Sequence, residues 1–110
     1  MQSKHGVLEG AILTALWELE SKGQPNNTVK TVWENLGSEK RAYTTVKTVM
    51  DRLSTKKILT REKINKKFMY KTTFSQKQTI EKALKEIALK YCQGNMRQLQ
   101  QVLEEMFVGA

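Results

Sequence analysis

Cysteine, histidine and proline each occur once in the 110-residue chain, as Cys92, His5 and Pro25. A lone cysteine excludes an intrachain disulfide, and beside Tyr91 it reads as a small apolar core or interface residue. One His and one Cys fall short of the ligand cluster of a typical zinc site, so neither a metal nor a cofactor is expected. No glycine-rich phosphate loop is present and no nucleophile has an evident base, so no catalytic residues are assigned and the chain does not read as an enzyme. No apolar run approaches the roughly 20 residues of a membrane span. The N-terminal MQSKHGVLEG lacks the apolar stretch and cleavage site of a signal peptide. The chain is therefore expected to stay in the cytoplasm, with no membrane partner. Internal repeats and low-complexity segments are also missing.

Acidic charge is scarce in one region only. Residues 41–73 carry Arg41, Lys47, Arg52, Lys56, Lys57, Arg61, Lys63, Lys66, Lys67 and Lys71 against only Asp51 and Glu62. The whole net charge of +8 sits there, and the rest of the chain is neutral. A basic block inside a neutral protein points to a polyanionic partner, where a solvated face is the bland alternative. At 39% apolar and 27% charged residues, the chain reads as globular, with room for one compact domain plus an extension.

Helical periodicity opens the chain. Residues 7–22 place Leu8, Ala11, Ile12, Ala15, Leu16 and Leu19 on one broad face, with Leu13 and Trp17 elsewhere, which predicts a helix covered on two sides. Gly23 and Pro25 stop it. Asn26, Asn27 and Thr28 offer caps for a second helix over 28–36, with Val29, Val32, Trp33 and Leu36 as its stripe. Gly37 ends it, and a polar SEKR leads into a third helix over about 42–56, striped by Val46, Val49, Met50 and Leu53. Two short segments rich in branched and aromatic residues follow, ILTREKI (58–64) and FMYKTTF (68–74), joined by Asn65-Lys66-Lys67. In the second, Phe68, Tyr70, Thr72 and Phe74 alternate onto one face. Three helices followed by a basic hairpin is the winged helix-turn-helix arrangement. Beyond Ser75 the helical period returns. A fourth helix carries Ile80, Ala83, Leu84, Ile87, Ala88 and Tyr91; Gln93-Gly94-Asn95 breaks it; a fifth carries Met96, Leu99, Val102, Leu103, Met106 and Phe107. The expected fold is mainly α with a small antiparallel β-wing, divided at 1–74 and 75–110. The two amphipathic helices at the end predict pairing with a second copy through Ile80, Leu84, Ile87, Tyr91, Leu99, Val102, Leu103 and Met106, with folding back on the same chain as the alternative.

The third helix has an unusual polar face. On a wheel of 100° per residue, Thr44, Thr48, Asp51 and Thr55 lie opposite the apolar stripe, flanked by Lys47 on one side and by Arg52 and Arg41 on the other. Threonine is a mediocre helix former. It suits a helix lying in a DNA groove, because it is slim, its hydroxyl bonds base or phosphate, and its methyl packs on thymine. Lys47 can reach guanine acceptors and Arg52 a phosphate. The amides at the start of the helix, at Tyr43, Thr44 and Thr45, favour phosphate. Lys63, Lys66 and Lys67 at the hairpin tip would grip backbone phosphates. A non-specific or architectural nucleic-acid binder, or a protein-interaction module with an acidic partner, fits the same charge.

The stretch AYTTVKTVMDRLSTKKILTREKINKKFMYKTTFS closely resembles the winged-helix signature of the penicillinase-repressor and methicillin-resistance-repressor (BlaI/MecI/CopY) family. The resemblance rests on Tyr-Thr-Thr-Val, Asp-Arg-Leu, Arg-Glu-Lys and the aromatic strand Phe68–Tyr70, and LEGAILTALWEL and TVKTVWENL are similar to the family's first two helices. It covers roughly residues 6–75. It implies a bacterial transcriptional repressor that binds double-stranded DNA as a homodimer, on dyad operators with TACA/TGTA-like half-sites. It also implies that Thr44, Thr45, Lys47 and Thr48 face bases and phosphates, that Arg52 supports backbone binding, and that an upstream sensor or protease releases the repressor. The chain departs from the family in having no Asn-Phe pair, the bond cut in penicillinase-type members, and no C-terminal cysteine cluster of the copper-responsive kind. Its wing turn is Asn-Lys-Lys where the family often has Asp-Gly.

Overall fold

The computed structural model describes residues 4–37 and 40–109, so Ser38 and Glu39 of the SEKR connector lie outside the described residues. The chain forms two compact units, Met1–Ser75 and Gln76–Ala110. In the first, helices α1 (Lys4–Ser21), α2 (Val29–Glu34) and α3 (Tyr43–Thr55) precede strands β1 (Leu59–Ile64) and β2 (Lys67–Thr72). The mainly helical arrangement with one small antiparallel hairpin is that of a winged helix-turn-helix, as the periodicity predicts.

The core joins all of these elements. Leu8, Ile12, Leu13, Ala15 and Leu16 of α1 pack with Val29 and Val32 of α2, and with Val46, Val49, Met50 and Leu53 of α3. Leu59 and Tyr70 close it from the hairpin. Leu13 is buried as well as the main stripe, because α1 is covered on more than one side. Of the three cap candidates before α2, Thr28 takes the role, its hydroxyl oxygen accepting the Thr31 amide at 3.2 Å. Asn27 does something the periodicity does not foresee. It is buried and forms an isolated antiparallel bridge to Tyr70, donating its amide to the Tyr70 carbonyl at 3.1 Å and accepting the Tyr70 amide at 2.7 Å. Its side-chain amide donates to the Gln24 carbonyl at 2.9 Å, so its polar groups are satisfied in the interior.

The wing is fastened at its base. Glu20 of α1 accepts both the Thr72 amide (2.8 Å) and the Thr72 hydroxyl (2.6 Å), and the Trp17 indole donates to the Phe74 carbonyl at 3.1 Å. The strands pair from Leu59↔Thr72 to Ile64↔Lys67, which makes the turn a two-residue loop of Asn65 and Lys66. Both have positive φ, 51° and 68°, the signature of a type I′ hairpin turn. Helix α3 ends in a Schellman arrangement, with Ile58 N–H on the Leu53 carbonyl at 2.9 Å, Lys57 N–H on the Ser54 carbonyl at 3.0 Å, and Lys57 itself at φ 66°. A lysine Cβ in the left-handed region costs roughly 1 kcal/mol relative to glycine. Lys57→Gly is therefore expected to raise the stability of this unit by about that amount in urea denaturation; an unchanged or lower midpoint would mean that the side chain compensates elsewhere.

The second unit consists of α4 (Gln76–Tyr91) and α5 (Met96–Val108). Asn95 caps α5, its side-chain oxygen accepting the Gln98 amide at 3.1 Å. Ala88, Cys92 and Leu99 make a small core, with Leu84 and Leu103 half-buried against it.

Candidate nucleic-acid interface

Helix α3 is divided between two environments. Val46, Val49, Met50 and Leu53 are completely enclosed, while Thr44, Thr45, Lys47 and Thr48 are exposed on the other side. Ala42 provides no side-chain cap, so the helix start offers no carboxylate or hydroxyl of its own to the first amides. Trp33 of α2 braces this start. Its indole donates to the Arg41 carbonyl at 2.7 Å, its ring meets Tyr43 edge-on at 5.9 Å, and the Lys40 ammonium lies 4.0 Å from the ring centroid. Trp33 belongs to the apolar stripe of α2 by spacing, yet it is only half-buried and serves the connector as well as the core. Tyr43 is exposed, and Arg41 and Arg52 are half-buried.

The threonine hydroxyls are partly engaged. Thr48 donates to the Thr44 carbonyl at 2.9 Å and Thr55 to the Asp51 carbonyl at 3.1 Å, one helical turn back in each case. With the hydrogen so placed, each side chain has oxygen lone pairs and a methyl group left for a partner.

Asp51, one of the outward polar positions on the wheel, is the centre of a network between α3 and the wing. One carboxylate oxygen accepts the Tyr70 hydroxyl at 2.9 Å and Arg61 at 3.2 Å; the other pairs with Lys47 at 3.2 Å. Partial burial pushes the Asp51 carboxyl up, but the Tyr70 hydroxyl, Lys47 and Arg61 outweigh it and hold it below its ordinary value of 3.8. Burial, then the Asp51 bond, raises Tyr70 above its ordinary 10.0. A depressed folded-state pKa adds stability that is complete above the unfolded value and lost as the pH falls through the folded one. The unit is expected to lose stability below about pH 3.8 more steeply in the native chain than in Asp51→Asn, by denaturant midpoints at pH 3 and 7; parallel acid limbs would contradict the role given to this carboxyl.

Arg61 is not among the sequence-derived site residues, although it lies in the basic block. Its position follows from the strand register, which sets it opposite Tyr70. Its guanidinium also covers the exposed Phe68 ring at 4.3 Å, and Lys63 lies 5.7 Å from the same ring. Lys63, Lys66 and Lys67 are all exposed near the turn. They do not share one face: Lys63 pairs with Phe68, while Lys67 pairs with Ile64 on the opposite side of the ribbon. Among the described residues no group of His, Cys, Asp and Glu could hold a metal, and no helix is long and apolar enough to cross a membrane.

The penicillinase repressor family profile matches residues 5–107. The chain belongs to the penicillinase repressor family. No curated protein matches it. Family and fold together make the chain a DNA-binding winged-helix repressor, in a family of regulators rather than enzymes. In this repressor the second unit leaves much apolar surface uncovered. Ile80, Ile87, Tyr91, Val102 and Met106 are exposed, and so are Leu89, Phe107 and Val108. Leu99, at 7% exposure, lies in the protomer's own core, and Leu84 and Leu103 lean on it.

Proposed function

We propose that the protein binds a dyad operator as a homodimer, with α3 in the major groove and the wing on the flanking backbone. The observation that carries this reading is the face of α3: slim and cationic outward, fully buried inward, and continuous with a basic hairpin. Thr44, Thr45, Lys47 and Thr48 are the base-facing residues; Arg41, Tyr43 and Arg52, with Lys63, Lys66 and Lys67 of the wing, serve the phosphates. The two lysine faces of the ribbon suit a wing laid along a backbone, where contacts on either side add affinity. TACA/TGTA-like half-sites follow from the family resemblance, and dimer symmetry favours half-sites about one helical turn apart, roughly 10 base pairs. The apolar positions Ile80, Ile87, Tyr91, Val102 and Met106 support the dimer, with Leu84, Leu99 and Leu103 backing them. The repressor acts on DNA in the cytoplasm.

Selection of bound sequences from random duplex DNA, then binding to the selected and scrambled sites at physiological salt, tests the reading. Thr44→Ala and Lys47→Ala are expected to cost roughly 1–3 kcal/mol on the selected site and to blur base preference. Lys66→Ala with Lys67→Ala is expected to weaken all DNA alike and to flatten the salt dependence. Equal affinity of the native protein for selected and scrambled DNA would rule out an operator-specific repressor in favour of a general nucleic-acid binder.

A further inference from the structure

Asp51 places a carboxylate on the face that the operator reading turns toward a polyanion. It is also held from the wing. One oxygen is held by the hydroxyl of Tyr70, whose ring is fully buried, and by Arg61 from the wing. The other oxygen faces Lys47, the one lysine among the base-facing residues, at 3.2 Å. The free protein therefore already satisfies the cation that DNA would use.

We propose that Asp51 is a specificity-determining residue of the interface, a pinned anion that makes Lys47 costly to recruit unless the DNA sequence compensates. The proposal rests on the reading that α3 lies in the major groove of an operator. Release of Lys47 to a phosphate exchanges one anion for another and leaves Asp51 bare beside the backbone, an unfavourable outcome on any sequence. A base pair with paired acceptors, as guanine O6 and N7, gives Lys47 more than a single phosphate does. An exocyclic amine of cytosine or adenine can then donate to the vacated carboxylate oxygen. Only some sequences supply both, so the carboxylate weakens binding to wrong DNA more than to right DNA. Its two oxygens have separate duties, one fixing the acid to the wing and one facing the groove.

The test uses the full-length protein and two duplexes, the selected operator and its scrambled counterpart, over a range of salt concentrations. Asp51→Asn keeps an oxygen for the Tyr70 hydroxyl while removing the charge. It is expected to raise affinity for scrambled DNA by roughly tenfold and for the operator by much less, and to steepen the scrambled-DNA salt dependence by about one unit per protomer. Asp51→Ser is expected to change both in the same direction. Tyr70→Phe keeps the charge, the Arg61 bond and the Lys47 pair, so it is expected to lower stability while its operator-to-scrambled ratio stays well above that of Asp51→Asn. A ratio that does not fall in Asp51→Asn, or a loss of affinity for both duplexes together, overturns the proposal and leaves the operator reading standing. A native protein that does not discriminate between the duplexes overturns both.

Discussion

Val102→Asp is expected to convert the protein to monomers and to weaken operator binding by roughly 10²–10⁴-fold, the gain ordinarily obtained by linking two half-site contacts. Val102 is 46% exposed and Met106, one turn further along α5, more so. Both share the apolar stripe of α5 with Leu99 but stand outside the cluster that Leu99 joins inside the protomer. An aspartate at the exposed Val102 therefore spares the residues that join α4 and α5 and puts charge on the surface proposed to meet a second copy. Leu103→Asp would be less informative, since Leu103 leans on the internal core and its loss would disturb the helical hairpin itself. Sedimentation of both proteins at micromolar concentration, with operator titrations alongside, gives the answer. A native monomer, or a Val102→Asp dimer with undiminished affinity, would place the interface elsewhere or remove it.

Tyr70→Ala carries the second large effect, a loss of roughly 3–5 kcal/mol from the first unit. The ring is 1% exposed in the core between the helices and the wing, and its hydroxyl is the link to Asp51. Truncation opens a cavity and deprives the carboxylate of a partner at the same time. With domains typically stable by only about 5–15 kcal/mol, this is a large fraction of the total. Tyr70→Phe retains the ring and is expected to cost about 1–3 kcal/mol. Urea denaturation of the two variants should show that ordering. Near-equal losses would mean that the hydroxyl bond dominates, and a small loss in both would mean that the wing packs adequately without this side chain.

The helical part of this fold is legible because its buried positions recur locally. Val46, Val49, Met50 and Leu53 appear as one stripe in the sequence and as one enclosed surface in the structure. The hairpin is legible from its branched and aromatic residues. Its register is less so, because an Asn-Lys-Lys turn permits a loop of two or three residues and a one-residue slip exchanges the faces. That ambiguity hides Arg61 as a partner of Asp51. Phe68 does share a face with Tyr70, yet it remains exposed under Arg61, since the ribbon extends past the core. Asn27 is hidden for another reason: next to Thr28 it reads as a capping residue, and nothing local indicates pairing with a strand far along the chain. Leu99 and Val102 are equivalent in periodicity. Only the packing of α5 on α4 separates the one turned inward from the one left outside.

The bridge between Asn27 and Tyr70 also imposes an order of events during synthesis. Residues 28–69 must all emerge from the ribosome before Asn27 can find its partner, and Glu20 waits still longer for Thr72. At about 5–20 residues per second the N-terminal helices spend several seconds without the strand that completes their core. The α4–α5 pair, built from neighbours in the chain, has no such delay. The apolar surface of α4 and α5 thus forms almost at once on synthesis, when the unit that precedes it already has every residue it needs to close.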